Sequence, residues 1–257
     1  IMILLQNVDC LELMKSIPDG SIDLMLTDPP YGVTNNQWDI APNLEQLWPE
    51  WERIVKPNGA FVFTSQQPFT SDLILSNRRH FKYEIIWEKS IATGFLNAKK
   101  QPLRSHENIL VFYRKQCTYN PQKIILQTPS FRKQAPSNTR DTNSNYGNFK
   151  DQNTGTKDGS RYPRSVMYFK GDPDFFNSTK RGLMIHPTQK PTSLISYLIK
   201  TFTNEGETVF DGYAGGATTV IGCIRENRKF IGSEISPEYY ERARNRIEKE
   251  LGQIRAV

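Results

Sequence analysis

The residues Ile22-Asp23-Leu24-Met25-Leu26-Thr27 form a nearly continuous apolar run, which Asp28-Pro29-Pro30-Tyr31 stops abruptly. A short run of this kind reads as a strand buried on both faces, as in parallel sheets covered by helices. Two prolines fix much of the local backbone and remove two N–H donors. A carboxylate, backbone carbonyls and an aromatic ring are then presented together at the strand's carboxyl end, where open α/β sheets place their ligand crevices. Acceptors beside a flat ring suit a planar ligand that carries an amino group. A stiff turn with Tyr31 packed over it is the simpler alternative that this tetrapeptide alone allows.

The rest of the chain supplies the elements of such a sheet. The pattern predicts a strand over 3–8, a helix over 10–17, the strand ending at Asp28, a helix over Leu44–Ile54 and a strand over Ala60–Thr64. Lys56-Pro57-Asn58-Gly59 reads as the end of the second helix. A helix over Pro68–Asn77 and strands over Tyr83–Trp87 and Asn108–Tyr113 follow. Near the carboxyl terminus come a helix at Pro191–Phe202, a strand at Thr208–Asp211, a helix at Ala217–Arg225, a strand at Lys229–Gly232 and a helix at Glu238–Glu250. Alternation of this kind predicts an α/β fold with a mostly parallel central sheet and flanking helices.

Residues 127–182 break the pattern with polar, Gly- and Asn-containing stretches in which Tyr146, Phe149, Tyr162, Tyr168 and Phe169 stand among cations. Disorder and a DNA-reading insertion that orders on binding both fit that composition. Lysine and arginine total 33 against 27 acidic residues, a net +6. The excess falls largely between Arg78 and Lys170, which suits a polyanionic partner.

Three cysteines and three histidines are widely scattered, which argues against a disulfide scaffold, a structural zinc site or metal catalysis. Cys10 and Cys223 read as small core residues. No apolar run is long enough to cross a membrane. Ile1–Leu5 is expected as a first strand, not a signal peptide, so a cytoplasmic protein is expected.

A second constellation, Asp211-Gly212-Tyr213-Ala214-Gly215-Gly216-Ala217-Thr218-Thr219, sits where a strand should become a helix. Glycines there let backbone approach a ligand closely, and Glu234, after the next strand, is placed to take ribose hydroxyls. The spacing is not G-x-G-x-x-G, and a tight structural turn is the alternative.

Taken together, Asp28-Pro29-Pro30-Tyr31, His186-Pro187-Thr188-Gln189-Lys190-Pro191 and the Asp211–Thr219 segment resemble the amino-group DNA methyltransferases that use S-adenosylmethionine. The order of the motifs is that of the beta class, which includes bacterial and phage adenine-N6 enzymes. The last motif departs from the family's Asp-Pro-Phe-Ala-Gly-Ser-Gly-Thr: Gly212 and Tyr213 replace Pro and Phe, and Gly216-Ala217 replaces Ser-Gly.

The resemblance implies a Rossmann-like methyltransferase core made of residues 1–126 and 183–257, with 127–182 as a target-recognition insertion. It implies that Asp28 and the Pro29 carbonyl, within the Asp28-Pro29-Pro30-Tyr31 motif, accept the target amino group, and that Tyr31 stacks on a flipped base. Asp9, Asp28, Thr188, Lys190, Asp211, Gly212, Tyr213, Ala214, Gly215, Thr218 and Glu234 are the implied donor-binding residues, with Glu234 on the ribose. For His186, helix-start packing and ligand contact fit equally. Trp38 would cover the target pocket or pack as an ordinary lid. Candidate DNA contacts are Trp38, Lys89, Thr93, Asn97, Lys99, Lys100, Arg104, Arg132, Lys133, Arg140 and Arg161.

These features predict a site-specific adenine-N6 methyltransferase acting on duplex DNA, with a homodimer and a cognate restriction endonuclease as further expected partners. The leading Asp28 favours adenine, since the cytosine-N4 group resembles Ser-Pro-Pro-Tyr. Three rivals remain open on sequence: cytosine-N4 methylation, a nicotinamide-dependent oxidoreductase suggested by the glycine turn with Glu234, and a catalytically degenerate DNA-binding protein.

Overall fold

A computed structural model describes residues 1–34, 36, 39–125, 160–172 and 189–255. The chain divides into two compact units, residues 1–120 with 164–257, and residues 121–163. The larger unit holds strands β1 (Ile3–Gln6), β2 (Ile22–Thr27), β3 (Val55–Ser65), β4 (Phe81–Thr93) and β5 (Arg104–Tyr113) in its amino-terminal part. The smaller unit contains the two-residue strands β6 (Ile124–Ile125) and β7 (Ser160–Arg161), paired antiparallel. The larger unit resumes with β8 (Val166–Phe169), β9 (Thr208–Asp211) and β10 (Lys229–Ser233). Its helices are α1 (Cys10–Lys15), α2 (Leu44–Ile54), α3 (Phe69–Ser76), α4 (Thr192–Phe202), α5 (Thr218–Arg225) and α6 (Pro237–Arg255).

Eight strands form one sheet in the order β1-β10-β9-β2-β3-β5-β4-β8. It is parallel except where β5 runs against β3 and β4. Both faces are buried, as the apolar strands predict. Leu24, Leu26, Ala60, Val62, Ile109, Val111 and Val209 face the side packed by α4, α5 and α6. Their neighbours Met25, Phe61, Phe63, Leu110, Phe112 and Phe210 face the side of α1, α2 and α3. Period-two alternation thus feeds two cores from one set of strands.

The order also fixes where a ligand can enter. From β2 the chain crosses to β3 on one side, whereas from β9 it crosses to β10 on the other. Between these neighbours the connecting loops diverge, leaving a crevice at their carboxyl ends. Asp28 and Asp211 end or directly follow those two strands.

Three elements differ from the sequence expectation. Lys56–Gly59 is part of β3, where the ladder shifts so that Ile22 pairs with Val55 and Leu24 with Ala60. The extra residues bulge, and a Cβ on Gly59 would meet the Asp23 carbonyl at 2.9 Å, so only glycine fits. Strand β4 runs six residues beyond Trp87, forming with β5 a polar hairpin arm that lacks the apolar signature of a core strand. Finally, β8 pairs with β4 at the sheet's edge, so part of the expected 127–182 insertion belongs to the main sheet. Residues 127–159 and 173–182 of that segment lie outside the described residues. Among the described residues, no helix is long and apolar enough to cross a membrane.

Candidate active site

A cavity of about 690 Å³ opens at the carboxyl ends of β2 and β9, a size typical of small-molecule sites. It is lined by all four residues Asp28–Tyr31 and by Asp9, Lys190, Asp211, Gly212, Tyr213, Ala214, Gly215, Thr218 and Glu234. The two motifs, nearly two hundred residues apart in sequence, therefore share one chamber. Lys89, Thr93 and Arg104 reach the same lining from the β4–β5 arm. Asn97, Lys99 and Lys100 lie exposed towards the tip of that arm, and Arg161 lies on β7 in the smaller unit. Trp38, Arg132, Lys133, Arg140, Thr188 and His186 lie outside the described residues.

Asp28 is the centre of a dense polar network. Its Oδ1 accepts from the Tyr31 hydroxyl at 2.5 Å and from the Thr64 hydroxyl, and its Oδ2 accepts from Lys190 Nζ at 2.5 Å. The Tyr31 ring is stacked on buried Phe69, with centroids 5.6 Å apart and planes 21° off parallel. Burial, then the Asp28 charge, push the Tyr31 hydroxyl well above its ordinary pKa, so it stays a hydrogen-bond donor. Lys190 also lies 3.5 Å from Glu107 Oε2, and Lys89 donates to Glu107 Oε1 at 3.2 Å. Burial pulls the Lys190 ammonium down, but the charges of Asp28 and Glu107 outweigh it and hold its pKa up.

Two of the candidate site residues are engaged within this network. Lys190, expected to bind the methyl donor, pairs with Asp28. Lys89, expected at the DNA backbone, has a side chain only 11% exposed and is engaged by Glu107, so its charge is spent inside the cavity.

Asp39 escaped the sequence reading altogether. Its carboxylate accepts from the backbone N–H groups of Tyr31, Gly32, Val33 and Thr34, at 2.8, 2.9, 3.0 and 2.6 Å. Burial acts to raise its pKa, yet the hydrogen bonds from Thr34, Gly32 and Val33 win and lower it. One side chain thereby folds the loop that leaves the Asp-Pro-Pro-Tyr motif. Backbone donors carry no residue signature, so nothing in the local sequence marks this role.

Across the crevice, Asp211 is buried and fully engaged. Its Oδ1 accepts from the Thr27 hydroxyl and the Tyr213 N–H, and its Oδ2 from the Thr219 hydroxyl. Burial pushes its carboxyl up to about 6, against the pull of those hydrogen bonds. Asp211 thus shapes the glycine loop from within instead of offering a free carboxylate to a ligand. The loop itself carries positive φ at Gly215 (49°) and at Ala217 (61°). A Cβ on Gly232 would strike the Asp211 carbonyl at 2.3 Å, which explains glycine in β10 beside it.

Glu234 closes the loop. Its Oε2 accepts from Gly215 N–H at 2.8 Å and its Oε1 from Ser236 N–H at 2.8 Å. Burial raises its pKa, with both amides pulling the other way. Each carboxylate oxygen keeps a further acceptor position, so a buried carboxylate facing the cavity suits a vicinal diol such as ribose. Asp9 caps α1 by accepting from Leu11 N–H at 2.8 Å, at the same rim.

A glycine loop, a buried acid at the next strand end and a cavity of this volume fit a nucleoside-bearing methyl donor. The comparisons with known proteins agree. A family model for DNA methylases of the N6/N4 type matches residues 22–245. The chain is 29% identical over 255 residues to the DNA adenine methyltransferase YhdJ of Escherichia coli (strain K12), covering 93% of this chain and 81% of that protein. It is 27% identical over 255 residues to the type II methyltransferase M.HpaI of Haemophilus parainfluenzae, covering 95% of this chain and 73% of the other.

Among solved structures, M1.HpyAVI in complex with SAM superposes with a TM-score of 0.62 at 22% identity, covering 95% of this chain and 100% of that one. The cytosine-N4-specific PvuII DNA methyltransferase superposes with a TM-score of 0.63 at 17% identity, covering 99% and 93%. At these identities the two structures establish the shared methyltransferase fold. S-adenosylmethionine is the methyl donor of the matched family and DNA its substrate. With its family match spanning both motifs and the sheet that joins them, the chain belongs to the N6/N4 amino-group DNA methylases.

Proposed function

We propose that this protein is a site-specific adenine-N6 methyltransferase of duplex DNA. The observation that carries the reading is the placement of Asp28 at the carboxyl end of β2, in the cavity shared with the glycine loop after β9. An acid at the head of the Pro-Pro-Tyr motif favours an adenine amino group, and the likeness to YhdJ supports the same choice.

Bound S-adenosylmethionine would supply an electrophilic methyl group on a sulfonium. Glu234 would take its ribose hydroxyls, and the Gly212–Gly215 backbone would line its path into the crevice. An aromatic amine is a weak nucleophile because its lone pair is delocalised into the ring. Asp28 and the Pro29 carbonyl would accept its N–H groups, favour the pyramidal form and stabilise the positive charge that develops as nitrogen attacks. The protein's contribution is thus alignment and preorganised charge, with no covalent enzyme adduct. The target base must leave the stack to reach Asp28, and the Phe69-backed ring of Tyr31 would stack on it.

Thr93, Arg104, Asn97, Lys99 and Lys100 on the β4–β5 arm would bind DNA, the cations meeting phosphates. A companion restriction endonuclease, a homodimer and action in the cytoplasm belong to this reading, the first in keeping with the type II names of relatives. Cytosine-N4 methylation is the second reading, since the matched family covers both N6 and N4 enzymes. The test of Asp28 is direct. Asp28→Ala should bind donor and DNA while losing methyl transfer by about two to three orders of magnitude, whereas near-native turnover would remove Asp28 from the mechanism.

A further inference from the structure

Asp28 has little acceptor capacity to spare. Tyr31 and Thr64 occupy Oδ1, and the Lys190 ammonium sits 2.5 Å from Oδ2. That ammonium opposes the proposed reaction twice. It takes one of the two acceptor positions on the oxygen that an incoming amino group needs, and it is a like charge beside a nitrogen that becomes positive as it attacks.

A second carboxylate adjoins the same ammonium. Glu107, on β5, places Oε2 at 3.5 Å from Lys190 Nζ, too long for a hydrogen bond of ordinary strength. Glu107 Oε2 is fully buried and accepts no hydrogen bond, while Oε1 is held by Lys89. A buried carboxylate oxygen left without a donor calls for an explanation. A shift of under about 1 Å by the flexible lysine side chain would bring Nζ into hydrogen-bonding range of it. The Lys190 ammonium therefore lies between two carboxylates, one in contact and the other within a short step.

We propose that Lys190 is a two-position cation and that Glu107 is its receiving carboxylate. Lys190 guards Asp28 in the resting protein and moves onto Glu107 Oε2 as the target amino group takes its place on Asp28. The proposal rests on the reading of Asp28 as the amine acceptor. No covalent bond changes in this step, and the proton stays on Nζ throughout. Glu107 is a positioning residue, acting on the amine only through Lys190, while Lys89 holds Glu107 in place through Oε1. The exchange also explains why a buried site spends two lysines and two acids on chemistry that needs one acceptor.

The test is single-turnover methyl transfer from labelled S-adenosylmethionine to DNA, in the native protein, Glu107→Gln, Lys190→Met and the double variant, with DNA and donor affinities measured alongside. Glu107→Gln should keep both affinities yet transfer methyl at least about tenfold more slowly, because Lys190 then has no charged alternative to Asp28. Adding Lys190→Met should restore most of that loss, a non-additivity that simple damage to packing would not produce. Should Glu107→Gln fail to fold, Glu107→Asp carries the same comparison, since its shortened carboxylate recedes from Nζ. Native rates in the Glu107 variant, or single effects that merely multiply in the double variant, would overturn the proposal while leaving the methyltransferase reading intact. A native protein that transfers no methyl to DNA would overturn both.

Discussion

The Thr27 hydroxyl donates to Asp211 Oδ1 at 2.7 Å, joining the last residue of β2 to the last residue of β9 across the opening of the crevice. Asp28 follows the first of these residues, and the glycine loop follows the second. One buried hydrogen bond therefore ties the acceptor for the proposed target amine to the loop proposed to hold the methyl donor. Correct alignment of two reactants is worth several orders of magnitude in rate, so a tether between their two platforms bears directly on turnover.

Thr27→Val keeps the shape of the side chain and removes this donor. Asp211 Oδ1 would retain only the Tyr213 amide. The expected cost is about 1–3 kcal/mol in urea unfolding, together with slower methyl transfer at saturating donor. A variant as stable and as fast as the native protein would show that the tether is idle.

Asp211 should also leave a mark on the dependence of stability on pH. Its carboxyl is raised from 3.8 to about 6 in the fold, chiefly by burial. Over that window the folded state holds a proton that the unfolded state has released. This contribution to stability is therefore full below the unfolded value and is lost as pH rises through the folded one. Asp211→Asn should flatten that part of the curve, since its amide oxygen can replace Oδ1 while its amino group faces the Thr219 hydroxyl. Urea unfolding of both proteins between about pH 4 and pH 6.5 checks the difference, and parallel curves would contradict it.

Asp39→Asn should disorder the loop beyond Tyr31. The amide oxygen can serve two of the four backbone N–H groups, but its own NH2 would face the other two. A stability loss of about 2 kcal/mol is expected, with weaker DNA binding and at least about a tenfold loss of methyl transfer. In the native protein, the lowered carboxyl of Asp39 implies a complementary trend. Its stabilisation is present above the unfolded value of 3.8 and fades as pH falls through the folded one.

Ala217 is buried with φ at 61°, where the family pattern has glycine. Ala217→Gly relieves left-handed strain but loses a buried methyl and gains freedom when unfolded, so a net change under about 1 kcal/mol is expected. Ala217→Val, β-branched at the same φ, should cost more than about 2 kcal/mol and weaken donor binding. Thermal unfolding of the two variants separates backbone strain from packing, and equal stabilities would refute the strain.

The sheet was largely legible because its strands are buried on both faces. Thr208–Asp211 and the amphipathic helix Leu44–Ile54, which buries Leu47, Trp48, Trp51 and Ile54, have in the structure the bounds that their patterns predict. The meeting of Asp28 and Asp211 was legible as well, since both stand at the carboxyl ends of parallel-type strands. The outer half of β4 and the edge strand β8 were not, because solvated edges need no apolar pattern. Asp39 and Glu107 were missed for a different reason. Their partners are backbone amides in one case and lysines distant in sequence in the other. Long-range polar networks of that kind leave no local spacing to read.

The central claim is methyl transfer to an adenine amino group, and product identity tests it most directly. DNA incubated with the protein and labelled S-adenosylmethionine is digested to nucleosides, the labelled product is separated, and the modified positions are mapped. The account predicts N6-methyladenine at one recurring sequence. N4-methylcytosine in its place would contradict the adenine assignment and keep the amine chemistry, whereas no labelled base under saturating donor would contradict the account as a whole.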